Sequence, residues 1–272
     1  MTLIDTHAHL ADAAFDADRD DVVRRAIDAG VDVLVEIAEE EAQWAKARDL
    51  AARFPGRIYW SVGFHPYYAG QFDPGLVDRL LDAARDPACV AVGEIGLDYH
   101  RPEPAPETQR RVFADLIRAA QRAGKPLILH CRDAAGDDRA QRDTLDALDA
   151  AGVSSSSSPA GVAHCFQGTP EHARRFVERG FLIGVDAPLT YPKAAALRAM
   201  VASVPLESLV LETDCPYLPP QSHRGKRNEP AHVPAVAAAL AALKGVPIEE
   251  AARVTSRNAR RLYRLPIAAP AH

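Results

Sequence analysis

The chain has 272 residues, 47% of them hydrophobic and 25% charged, with a formal net charge of −5, enough for one barrel-sized domain or two modest ones. The slightly acidic balance excludes a protein held to nucleic acid mainly by bulk charge, which calls for a strong basic excess. Four cysteines without a CxxC pair exclude a disulfide framework and a thiolate zinc site. No apolar run approaches the roughly 18 residues of a membrane span and no signal-peptide layout opens the chain, so the expectation is a cytoplasmic monomer without a membrane partner.

Short apolar runs alternate with helical patterns from end to end. "TLIDTHAH" is followed by the amphipathic "DRDDVVRRAIDAG", stopped by Gly30, a usual helix terminator. "VDVLVEIA" leads to the helix "EAQWAKARDLAARFP", and "IYWSVGFHP" to "GLVDRLLDAARDP". "CVAVGEIGLD" leads to "ETQRRVFADLIRAAQRAG", and "PLILHCRD" to "RAQRDTLDALDAAG". "AGVAHCF" precedes "PEHARRFVERG", where Thr169 and Pro170 fit an N-cap and a first helical residue. "FLIGVDAPL" precedes "KAAALRAMVASV", and "SLVLETDCP" precedes two closing helices, "VPAVAAALAALKG" and "PIEEAARVTSRNARRLYRL". Regular alternation implies parallel strands with helices outside. Eight such units predict an α/β fold, a (β/α)8 TIM-like barrel forming a single domain over residues 1–266. A distorted or seven-stranded barrel would give a similar pattern. The tail 267–272 is expected to be disordered, and Ser154–Ser158 to be a tolerated linker on the helix-to-strand side, the bottom face, away from chemistry.

The unusual residues fall where strands end. His7 and His9 close the first strand, His65 the third, His130 the fifth, His164 the sixth and Asp214 the eighth, with Glu94 late in the fourth. In a barrel these ends share one rim. Residues i and i+2 of a strand face the same way, so His7 and His9 converge. Each histidine alone is more often structural; together they predict a metal site. By the same alternation Cys131, Cys165 and Cys215, each following a candidate ligand, should point into the helical shell, with Cys89 at the far end of its strand.

Imidazole and carboxylate without thiolate suit zinc, manganese or a related divalent ion. So many donors exceed what one hydrolytic ion uses, since it keeps a position open, and suit two ions about 3.5–4 Å apart. Glu94 is the natural bridge, its flanking glycines keeping bulk away from the ions. Asp98 and Glu212 are outer carboxylates: Asp98 either orients a ligand or caps a loop, and Glu212 either orients a ligand or sits in a buried ion pair.

"DTHAHL", "GFHP", "GEIGLDY", "PLILHCRDA", "AHCF", "LETDCPYL" and "RGKRNEP", running in order from residue 5 to residue 230, resemble the TatD family of metal-dependent deoxyribonucleases, within the amidohydrolase superfamily. The resemblance implies a two-metal barrel, with one ion on His7, His9, Glu94 and Asp214 and the second on Glu94, His130 and His164, the ions being Zn, Mn or Mg. It also implies that His65 lies near the substrate phosphate and that "RGKRNEP" closes over the site. The serine run departs from the family pattern, and His223 has no assigned role.

The expected chemistry is phosphodiester hydrolysis, a 3′–5′ exonuclease-like attack on single-stranded DNA ends, with Asp214 as general base. Arg132, Arg224, Lys226 and Arg227 are candidates for phosphate, and Tyr67, Tyr68, Tyr99 and Tyr217 for an unpaired base. Two alternatives stand beside it. An amidohydrolase acting on an amide, lactone or cyclic ureide would use a bridging lysine, but Lys125 starts its strand at the wrong end. The other is a non-catalytic metal-binding barrel.

Overall fold

The eight apolar runs are strands: β1 (Leu3–Ala8), β2 (Val31–Ala38), β3 (Ile58–Val62), β4 (Cys89–Asp98), β5 (Leu127–Arg132), β6 (Gly161–Ala163), β7 (Phe181–Val185) and β8 (Leu209–Leu211). They come from a computed structural model that describes residues 2–154 and 158–266. Residues 155–157 of the serine run and the 267–272 tail lie outside the described residues. The strands lie side by side in chain order, each neighbouring pair parallel. The helices are α1 (Arg19–Asp28), α2 (Glu41–Arg53), α3 (Gly75–Ala83), α4 (Pro106–Ala123), α5 (Arg139–Ala150), α6 (Pro170–Glu178), α7 (Ala195–Ser203), α8 (Val233–Lys244) and α9 (Ile248–Tyr263).

Burial on both faces explains why the strands read as apolar runs. Ile4, Val33, Val35, Ile128, Val162, Leu182 and Val210 fill the barrel interior. Leu3, Leu34, Trp60, Val92, Leu129, Ile183 and Leu209 face the helices. The longest helix, α4, buries Val112, Phe113, Leu116, Ile117 and Ala120 at helical spacing and stops at Gly124, φ 64°. Each such Leu or Phe contributes about 1.5–3 kcal/mol over its exposed state. Thr169 caps α6 by accepting from the His172 N–H.

The last helix is a plug. Leu262 and Tyr263 of α9 pack with the interior residues, and the Tyr263 hydroxyl donates to the Thr6 carbonyl at 3.1 Å. First and last strands meet at the other end through a bridge between Ala8 and Cys215. There the Asp214 N–H donates to the His7 carbonyl and the His9 N–H to the Cys215 carbonyl, both at 2.9 Å. No single helix among the described residues is long and apolar enough to cross a membrane.

Candidate active site

Two strands break their regular pairing where the central donors sit. The β1–β2 register shifts between Asp5 and Ala8, a segment that contains His7. The β4–β5 register shifts between Val92 and Ile95, which contains Glu94. Irregularities of this kind re-aim a side chain. Strict alternation from the interior residue Ile4 would turn His7 away from the mouth. The shift brings its Nε2 to 3.3 Å from Glu94 Oε2. The glycines beside Glu94 serve a different purpose from the one expected. A Cβ on Gly93 would lie 2.4 Å from the Ile128 Cβ, and one on Gly96 would lie 1.9 Å from the His130 carbonyl oxygen. They admit β5, not the ions.

Glu94, 2% exposed, turns its two oxygens to two groups of partners. Oε2 faces His7 Nε2 and, at 4.0 Å, His9 Nε2. Asp214 Oδ1 completes this side, 3.3 Å from His9 Nε2 and 3.8 Å from His7 Nε2. Oε1 lies 2.6 Å from His130 Nδ1 and 3.3 Å from His164 Nε2. Burial alone would raise the Glu94 carboxyl, but the imidazoles of His164, His7 and His130 hold it well below its ordinary range. His7 shifts down, through burial and then the charge of His164. His7 Nε2 and His9 Nε2 are 3.2 Å apart. Donors bound to one tetrahedral cation at ordinary zinc–nitrogen lengths sit about 3.3 Å apart, so the spacing, like the nitrogen and oxygen donor set, fits a divalent ion.

The outer nitrogens of two rings are held. His130 Nε2 lies 3.0 Å from Asp98 Oδ2, and His164 Nδ1 lies 3.2 Å from Glu212 Oε1. Such contacts fix the orientation of a ligating ring. Asp98 also accepts from the His100 N–H at 2.9 Å. Glu212 is fully buried and accepts from the Cys165 N–H at 2.6 Å. Gly184 leaves the space for it, because a Cβ there would lie 2.5 Å from Glu212 Oε1.

Cys165 corrects the sequence expectation. Strand β6 ends at Ala163 and Cys165 has φ 42°, so alternation no longer applies. Its thiol lies 3.0 Å from Asp186 Oδ2 and within 4.8 Å of donor atoms of His164 and Asp214. Cys131, by contrast, does meet a helix, accepting from the Thr144 hydroxyl at 3.4 Å.

Four carboxylates escaped the sequence reasoning. Asp5 accepts from the His7 N–H at 3.2 Å and from the Thr213 hydroxyl at 2.5 Å, tying together the segments that carry His7 and Asp214. Glu36 accepts from Leu10 and Ala11 N–H at 2.6 and 2.9 Å, fixing the turn after His9. Burial pushes Asp5 up to about 8, and Glu36 and Asp186 each up to about 7. Glu39, half-buried after β2, has a carboxylate oxygen within 4.8 Å of His9 and Glu94 donors.

A family model described as TatD related DNase matches residues 4–264. The chain belongs to the TatD-related DNase family. It is 33% identical over 263 residues to YabD of Bacillus subtilis, an uncharacterized metal-dependent hydrolase, covering 97% of this chain and 99% of that protein. It is 34% identical over 269 residues to the 3′-5′ ssDNA/RNA exonuclease TatD of Erwinia billingiae, covering 97% and 100%. The crystal structure of YJJV, a TatD homologue from Escherichia coli K12, superposes with a TM-score of 0.86 at 33% identity, covering 97% and 98%. This TatD-family chain is therefore a metal-dependent hydrolase.

Around the mouth of this TatD-family barrel the expected substrate residues divide. His65 is buried, its Nε2 3.8 Å from Glu94 Oε1, and its Nδ1 accepts from the Tyr67 N–H at 3.1 Å. Arg132 is exposed at the end of β5. Arg224 is exposed and stacks over Tyr191 at 4.5 Å, and Lys226 is exposed. Arg227 departs from expectation. Both its terminal nitrogens bond Asp18 at 2.8 Å, and one also donates to the Ala14 carbonyl, so it fastens the loop to the start of α1 and is not free for phosphate. His223 packs on the His232 ring at 4.2 Å. Of the tyrosines, Tyr99 is buried and bonds Asp143 at 2.7 Å. Tyr217 is 52% exposed beside His9, the ring centroids 6.0 Å apart.

Proposed function

We propose that this enzyme hydrolyses phosphodiester bonds at the 3′ end of single-stranded nucleic acid, using two divalent cations. The observation that carries the reading is Glu94, whose two oxygens face separate imidazole groups. His7, His9, Glu94 and Asp214 would hold one ion, and Glu94, His130 and His164 the other. The cations would supply Lewis acidity, making water a nucleophile near neutral pH and offsetting charge on phosphate oxygens. Zn, Mn or Mg are the candidates.

The chain's own groups divide the remaining work. Asp214 would take the proton of the attacking water, its Oδ1 standing 3.3 Å from His9 Nε2 and 3.8 Å from His7 Nε2. Its backbone is left-handed, φ 55°, which directs the carboxylate toward His9. His65 is a donor: a neutral ring whose Nδ1 accepts from a backbone N–H carries its proton on Nε2. That N–H suits a phosphate oxygen as charge develops there. Arg132 and Arg224 supply further phosphate contacts. The strand polarity rests on relatives described as 3′-5′ ssDNA/RNA exonucleases. The amide-hydrolase reading lacks its bridging lysine: Lys125 donates to the Cys89 carbonyl at 2.6 Å, at the opposite end of the strands.

Metal-reconstituted protein offered single-stranded DNA, duplex DNA, RNA and an amide substrate tests the proposal, with products resolved by length. Stepwise shortening of single strands from the 3′ end is the expected outcome, and turnover confined to the amide would refute it. Tyr217 is the base-stacking candidate, because stacking is worth about 1–3 kcal/mol per base. Tyr217→Ala should raise KM for a single-stranded oligonucleotide roughly 5- to 100-fold with kcat nearly unchanged, and Tyr217→Phe should restore KM. An unaltered KM in the alanine variant would exclude stacking.

A further inference from the structure

Glu39 has no part in the ligand sets described above, yet its surroundings are those of the centre. It follows the last residue of β2, and its backbone is fixed on both sides. Its carbonyl accepts from the His65 N–H at 2.8 Å, and its N–H donates to Gln43 Oε1 at 3.1 Å. The side chain is half-buried. The charged groups acting on it most strongly are His9, Glu94, His130 and Asp214, all of them members of the candidate metal centre. Donor atoms of Glu39, His9 and Glu94 lie within 4.8 Å of one another. Among the described residues no lysine or arginine is among the charges that act on it most strongly.

Burial pushes the Glu39 carboxyl up, His9 and His130 pull it back, and Glu94 and Asp214 oppose them, leaving it raised overall; a carboxylate so placed costs stability unless a stronger positive charge arrives. Glu94 and Asp214 offset only half the charge of two dications. A third carboxylate offsets part of the rest. It also changes the donor balance, since imidazole suits zinc whereas added carboxylate suits manganese and magnesium.

Resting on the two-ion reading, we propose that Glu39 is an additional oxygen donor to the ion on the His9 side of Glu94, and that it biases this position toward hard cations such as Mn²⁺ over Zn²⁺. The acidic run "EEE" at residues 39–41, the β2–α2 junction, would ordinarily be a solvated helix start, but its first carboxylate is half-buried beside the centre.

Metal-stripped full-length protein, titrated separately with Mn²⁺ and Zn²⁺ against a chelator of known affinity, tests this directly. Glu39→Gln should weaken Mn²⁺ binding about 10- to 100-fold, the range for losing a supporting group at a metal site, and Zn²⁺ binding by less. Glu39→Asp should recover part of the Mn²⁺ affinity. Without metal, Glu39→Gln should melt at or above the wild-type temperature, because a partly desolvated carboxylate has been removed. Unchanged affinity for both ions in a wild type that binds two would overturn the role of Glu39 and leave the two-ion centre standing. Equal losses for both ions with a lower metal-free melting temperature would overturn it in favour of a structural role. A wild type that takes up neither ion would overturn the centre itself, and this role with it.

Discussion

Replacing Asp214 with Asn should lower phosphodiester turnover by about three orders of magnitude, within the range attributed to a positioned acid or base, and leave the fold unchanged. The choice of Asn is dictated by the backbone. Asp214 has φ 55°, a left-handed conformation that Asn adopts several-fold more readily than most residues. The variant therefore keeps the bond from its N–H to the His7 carbonyl and the shape of the side chain. It loses the negative charge and the capacity to take a proton. An amide oxygen can still donate to a cation, so metal content separates the two roles assigned to this residue. Turnover lost with metal retained identifies the base, and both lost together identifies the ligand. Turnover close to wild type would remove Asp214 from the mechanism.

Glu94→Ala is the second large effect. No other described side chain offers separate oxygens to the His7–His9 and His130–His164 groups. Without it the two proposed positions would lose their shared anion, and bound metal measured by elemental analysis should fall from the proposed two ions to one or none per chain, with turnover at background. The buried imidazoles of His7 and His164, stacked with centroids 3.5 Å apart, would also face each other without the carboxylate between their partners. Glu94→Gln preserves the volume and separates loss of charge from loss of packing. If both variants kept two ions, the bridging role would be refuted.

The strands were legible because a parallel strand buried on both faces has to be apolar, and the helices because each pairs an apolar stripe with a Gly or Pro stop. The gathering of His7, His9, His130 and His164 around Glu94 was legible because several imidazoles at strand ends of one barrel share a rim. Distance in sequence hid the rest. Arg227 meets Asp18 across 209 positions, so its commitment to the loop left no local signal. Cys165 was misread because β6 is only three residues long and alternation was carried past its end. Glu39 hid in an acidic run that resembles an ordinary solvated helix start. Glu212 did leave a trace: Gly184, between Ile183 and Val185 in an apolar run, marks the space its carboxylate fills. Even the pairing of His7 with His9 was inferred from an unbroken strand, whereas an irregular register brings His7 to Glu94.

The seam between the first and last strands has a dynamic consequence. The bridge from Ala8 to Cys215 and the bonds from Asp214 and His9 across it run through the residues proposed to hold the cations. Prising the cylinder apart at this join separates His7 and His9 from Asp214, so with the proposed ligand set local opening and metal escape would be one event. Cofactor retention would then follow the breathing of this join, and amide exchange at His9 and Asp214 should slow markedly once the ions clamp it shut.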